Sequence, residues 1–86
     1  MTYLVNEHLI IEEQKRIRRD IVAQYIKVRK EKHLTQEQFA KTMNITRPNI
    51  SRFESGEYNP TIDMLVKMAK YLDMELVIEL RENKEK

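Results

Sequence analysis

Apolar residues recur at helical spacings along most of this chain and change to a shorter, alternating period only near its end. Ile17, Ile21, Val22, Tyr25, Ile26 and Val28 share one side of a helix predicted over roughly residues 12–32. Asn6, ahead of Leu9, Ile10 and Ile11, can start that helix earlier. Residues 1–11 equally allow an extended arm, because Tyr3-Leu4-Val5 and Leu9-Ile10-Ile11 carry no clear period. Thr35 opens a second helix, with Gln38 three residues on completing a capping box and with Phe39, Ala40 and Met43 on the inner side. Asn44 follows where the chain must turn sharply, and Asn tolerates the left-handed conformation such a turn needs. Thr46 caps a third helix with Pro48 in its first turn, Ile50 and Phe53 facing inward, and Gly56 at its end. Asn59-Pro60-Thr61 turns the chain into a fourth helix, where Ile62, Leu65, Val66, Met68, Ala69 and Leu72 form an apolar stripe.

The run Glu75-Leu76-Val77-Ile78-Glu79-Leu80 is β-rich and partly alternating, which predicts a strand. A lone strand in a helical domain must add to another, most simply the same strand of a second copy, so an antiparallel dimer through Leu76–Leu80 is expected. Residues 82–86 form a polar tail.

Composition narrows the possibilities. Eighty-six residues make one small domain. A chain of this length buries only about 60–65% of its unfolded surface, so association would help it. One Gly and two Pro leave little punctuation and favour helices. The absence of Cys excludes disulfides, thiolate metal sites and cysteine nucleophiles, and fits a cytoplasmic setting. No apolar run approaches the ~20 residues of a membrane span, and no secretory signal opens the sequence. His8 and His33 have no third ligand in a suitable pattern, and Met43, Met64, Met68 and Met74 sit at core spacings, so neither a metal nor a cofactor is expected. No phosphate-cradling loop or nucleophile arrangement points to catalysis. The formal net charge is only +2, but its distribution is uneven. Between Lys27 and Arg52 seven Lys or Arg stand against two Glu, a local balance of +5 with acidic flanks, as suits a surface that faces nucleic acid.

The candidate chemistry lies in Leu34–Glu57. Thr46-Arg47-Pro48-Asn49 presents a hydroxyl, a guanidinium and an amide at the tip of the third helix, an arrangement suited to the major groove of double-stranded DNA. A guanidinium at Arg47 can grip a guanine edge, and Asn49 can read adenine, bind phosphate or close a local cap. Thr46 caps the helix and reaches phosphate, while Arg52 lies one turn beyond Pro48 on the same outward face. Lys41 and Tyr58 are weaker phosphate candidates at the rim.

Leu34-Thr35-Gln36-Glu37, Phe39-Ala40, Ile50-Ser51-Arg52, Glu54, Gly56, Pro60, Leu65 and Ala69 together resemble the helix-turn-helix proteins of the Cro and phage-repressor family, also called the xenobiotic-response-element family. The resemblance runs without gaps from Ile26 to Leu80. It departs from the family pattern at Asn44, where Gly is usual, and at Pro48, which replaces a polar residue and removes a side-chain donor. The resemblance implies a mainly α, lambda-repressor-like bundle of four to five helices with a C-terminal β-strand used for dimerisation. The chain then divides into an N-terminal extension (1–25), the helix-turn-helix domain (26–73), the strand (74–81) and a tail (82–86). It also implies that Gln36 anchors a helix end to phosphate, that Arg52 reaches bases, that Ser51 touches the DNA backbone, and that Arg29 and Glu54 form a structural ion pair. The implied DNA-binding set is therefore Gln36, Thr46, Arg47, Asn49, Ser51 and Arg52. The expected function is a sequence-specific transcriptional repressor reading a palindromic operator as a homodimer. The compact size, charged N-terminal extension and C-terminal strand also resemble HigA-type antitoxins, which implies a second reading: binding of a RelE/HigB-like toxin with repression of the shared operon.

Overall fold

In the computed structural model, which describes residues 6–83, four helices follow one another: α1 (Glu7–Glu31), α2 (Gln36–Thr42), α3 (Arg47–Glu54) and α4 (Ile62–Tyr71). The Asn6 side chain accepts from the backbone N–H groups of His8 (2.8 Å) and Leu9 (3.3 Å), so residues 6–11 enter the helix rather than an extended arm. The arm reading of residues 1–5 lies outside the described residues. Thr35 and Gln38 form the expected capping box, with reciprocal bonds of 3.0 and 2.9 Å. Thr61 accepts from the N–H of Met64 at 3.1 Å and starts α4.

Three helices end in the same way. His33, Asn44 and Asp73 adopt φ of 59°, 57° and 58°. The next residue in each case, Leu34, Ile45 or Met74, donates its N–H back to the carbonyl of Arg29, Ala40 or Ala69. This six-to-one closure satisfies end carbonyls that would otherwise be orphaned and points an apolar residue back at the helix. Asn44 was expected in this role, whereas His33 and Asp73 carry no turn signal of comparable strength. Gly56 closes α3 with φ of 80°, and a Cβ there would only touch the Arg19 side chain at 3.6 Å, so its requirement is conformational rather than steric.

The core collects one face of each helix. Phe39, Met43, Ile50, Phe53, Met68 and Leu72 are its fully buried side chains, joined by Val22, Tyr25, Ala40, Leu65 and Ala69. Tyr25 and Phe53 meet edge to face with centroids 5.5 Å apart. The Tyr25 hydroxyl donates to the carbonyl of Leu65 at 2.6 Å, and burial pushes its pKa above the ordinary phenol value. In α4 only Leu65, Met68, Ala69 and the capping Leu72 are buried. Ile62 and Val66 stand at the margin of that stripe and are exposed.

Two expectations are corrected. Among the described residues there is no β-strand: residues 74–83 follow α4 without regular structure. A strand exists through ladder hydrogen bonds, and among the described residues no neighbouring strand supplies them to residues 75–80. Alternation and β-branched residues give only a weak preference. The dimer through a strand at Leu76–Leu80 loses its structural basis with it. Val77, Ile78 and Leu80 are instead strongly exposed.

The molecule is elongated, 50 Å by 23 Å by 20 Å, because α1 outruns the body. Its 25 residues span about 37 Å at 1.5 Å per residue. Yet its buried residues, Val22, Tyr25 and Arg29, all lie in the second half. Along the projecting half Arg16 donates to Glu13 at 3.0 and 2.5 Å and to Asp20 at 3.1 Å. The bonds from Arg16 hold the Glu13 carboxyl below the usual carboxylate range. Both side chains are more than half exposed, so these pairs order the helix surface more than they hold the fold.

Candidate nucleic-acid interface

Helix α3 owes its orientation to two residues and its chemistry to five others. Ile50 and Phe53 are buried, which fixes the helix rotation and turns Arg47, Pro48, Asn49, Ser51 and Arg52 to solvent. The Arg47 and Arg52 guanidinium groups make no ion pair or hydrogen bond among the described residues, so both stand free on the outward face. The Asn49 and Ser51 side chains are likewise unbonded.

Thr46 occupies the N-cap position with extended backbone (φ −86°, ψ 151°), but its hydroxyl makes no capping hydrogen bond. Pro48 explains this in part. It sits in the first turn and has no N–H to offer, while the N–H of Asn49 turns to the Thr46 carbonyl at 3.1 Å. The Thr46 hydroxyl is therefore left over for an external partner.

Gln36 is the first residue of α2. It is half-buried, and its Nε2 donates to Glu54 Oε1 at 2.9 Å. Glu54 in turn accepts from Arg29 through Nε at 2.6 Å and Nη2 at 3.0 Å, with both side chains more than nine-tenths buried. Arg29 Nη1 donates to the Leu34 carbonyl at 2.6 Å. One carboxylate thus ties α1, α2 and α3 together. No buried side-chain nitrogen or oxygen among the described residues lacks a partner. An amide nitrogen carries two protons, so Gln36 keeps one N–H to offer outward at the start of α2, beside the free backbone N–H groups of that helix end. The Arg29–Glu54 ion pair of the family pattern is present. The Gln36 link was not visible in the sequence, because 18 residues separate it from Glu54. Lys41 is exposed and Tyr58 half-buried, beside the notch formed with Asn49, Arg52 and Met64.

A helix pair joined by a left-handed Asn, with the second helix presenting unpaired cations on its outward face, defines a helix-turn-helix unit. Residues 26–78 match the family described as Helix-turn-helix, and the chain belongs to that family of DNA-binding transcriptional regulators, of Cro and phage-repressor type. Among its relatives is an uncharacterised HTH-type transcriptional regulator from Methanocaldococcus jannaschii, 34% identical over 44 residues, which are 51% of this chain and 67% of that protein. Among solved structures it is similar to a toxin–antitoxin module from Streptococcus pneumoniae, with a TM-score of 0.64, 26% identity, and coverage of 92% of this chain and 85% of that one. Among the described residues no helix is long and apolar enough to cross a membrane, and no group of three or more His, Asp or Glu residues is placed to hold a metal ion.

Proposed function

We propose that the chain is a repressor that reads a palindromic operator as a homodimer, with Gln36, Thr46, Arg47, Asn49, Ser51 and Arg52 as its DNA contacts. The observation that carries this reading is the pair of unpartnered guanidinium groups, Arg47 and Arg52, on the outward face of α3. In this assignment Arg47 reads a guanine edge from the helix tip, and Arg52 reaches the groove one turn later. Gln36 and Thr46 donate to phosphates on either side of the turn, and Ser51 and Asn49 add backbone or adenine contacts. Pro48 contributes a rigid first turn and no donor, which narrows what the tip can distinguish. Two copies would set their recognition helices about 34 Å apart along one face of the duplex.

Selection from a random duplex pool, followed by titration at fixed moderate salt, tests the assignment. A discrete operator is expected. Arg47→Ala and Arg52→Ala should each weaken its binding by about 1–3 kcal/mol, roughly 5- to 150-fold, and relax preference at one position. Binding no stronger than to random duplex would sink this reading.

A second reading, compatible with the first, is that the same chain is an antitoxin. The similarity to a toxin–antitoxin module over 92% of the chain supports it. It predicts that a toxin encoded beside this chain co-purifies with it at a fixed ratio on co-expression. Separate elution of the two proteins at micromolar concentration would remove the antitoxin role while leaving the repressor reading intact.

A further inference from the structure

The projecting half of α1 carries more apolar surface than a free helix retains. Leu9, Ile11 and Ile17 are 63%, 45% and 43% exposed, and a helical segment of about a dozen residues is marginal in water unless something covers its apolar side. Ile17 belongs to a specific pattern, and Leu9 and Ile11 lie to either side of it. Ile10, Gln14, Ile17, Ile21 and Gln24 follow one another at alternating separations of four and three residues, the seam of a two-heptad coiled coil. The seam forms one wall of a continuous groove. One end holds about 720 Å³ beside Asn59 and Pro60, the other about 690 Å³ beside Val77 and Ile78, and Ile17, Ile21 and Leu65 line both.

The charges along the seam select the occupant. Glu13 and Asp20 flank it on one side. Arg18 flanks it on the other, half-buried against the groove and without an ion pair among the described residues. A second α1 laid antiparallel would bring the acidic flanks together. Laid parallel and in register, it sets Glu13 against Arg18 of the partner subunit, and the two-fold axis repeats the pair. The same register stacks each Gln14 on its own copy, where two amides donate to and accept from one another. A purely apolar partner surface would leave those amides and Arg18 without partners.

We propose that the groove along the first half of α1 receives α1 of a second copy, the two helices running parallel and in register. This rests on the homodimeric reading above, and the test separates the two. The chain contains no Cys, so a single introduced thiol reports without background. Under mild oxidation at micromolar concentration, Gln14→Cys should form a disulfide-linked dimer in at least tenfold greater yield than Glu12→Cys, whose side chain points away from the seam. Arg18→Glu should weaken the dimer about tenfold in sedimentation experiments, and Glu13→Arg combined with Arg18→Glu should restore it. A dimer by sedimentation in which Gln14→Cys cross-links no better than Glu12→Cys overturns the seam and leaves the dimeric reading standing. A monomer at concentrations that saturate the operator removes both. A monomer whose Gln14→Cys thiol is shielded from alkylation only when a co-expressed toxin is bound assigns the groove to that toxin, and overturns the proposal.

Discussion

Arg29→Ala should destabilise the fold by about 3–5 kcal/mol, the usual cost of removing one partner from a buried ion pair. The cost comes less from the lost attraction than from what remains. Glu54 would be left without its cation in a site where its side chain is only 7% exposed, with a single hydrogen bond from Gln36. The Leu34 carbonyl would also lose the guanidinium that now caps it at 2.6 Å. Urea unfolding at neutral pH measures the effect. Glu54→Ala should cost a similar amount, and the double variant much less than the sum, because the second substitution removes the orphan left by the first. Additive losses would show that the two side chains act independently and that the bonded geometry contributes nothing of its own. The variants also separate structure from recognition. Neither residue faces outward, so any fall in operator affinity beyond the unfolded fraction would have to come from a misplaced α3 or Gln36.

Phe53→Ala should cost about as much, 3–5 kcal/mol, by a different mechanism. Its ring is 2% exposed and meets Tyr25 edge to face, so truncation forfeits both transfer energy and a specific aromatic contact. The cavity would open between α1, α3 and α4, three elements pinned by other contacts and poorly able to collapse into it. Against a total of about 5–15 kcal/mol for a small domain, either substitution consumes a large share of the stability. Calorimetry should show a fall in Tm of roughly 15–30 °C. A fall of only a few degrees would mean that the core around Phe53 relaxes freely, and would contradict its role in setting the rotation of α3.

What the chain makes legible is local. Thr35 and Gln38 announce α2 because both halves of the capping box lie within one turn, and Asn44 announces the bend because few other side chains tolerate that backbone. Ile50 and Phe53 fix the outward face of α3 by spacing alone. What the sequence leaves illegible has non-local causes. The bond from Gln36 to Glu54 cannot be read from the chain because the two residues lie on different helices. The type and position of Thr46 predict a capping bond from its hydroxyl, which the nearby Pro48 helps to deny it. Residues 75–80 have the composition of a strand, but a strand is a relation between two segments, and a single segment cannot reveal whether its neighbour exists. His33 and Asp73 escaped notice because residue type is a weak guide to a left-handed closure when the following apolar residue and the helix-end carbonyl supply the reason for it.

Those closures bear on how the protein can change over time. A side chain with a Cβ in the left-handed region costs about 1–2 kcal/mol, less for Asn and Asp, and glycine avoids it. His33, Asn44 and Asp73 all hold that conformation, and all lie off the outward face of α3. They amount to a reserve of stability that a single base change or two can release. A lineage in which Arg47, Asn49 or Arg52 drifts to follow a changing operator, at some cost to the fold, can recover that cost at Asp73, on the far side of α4 in sequence from the reading helix. Adaptation of the reading surface and upkeep of the scaffold are therefore separable in this chain, residue by residue.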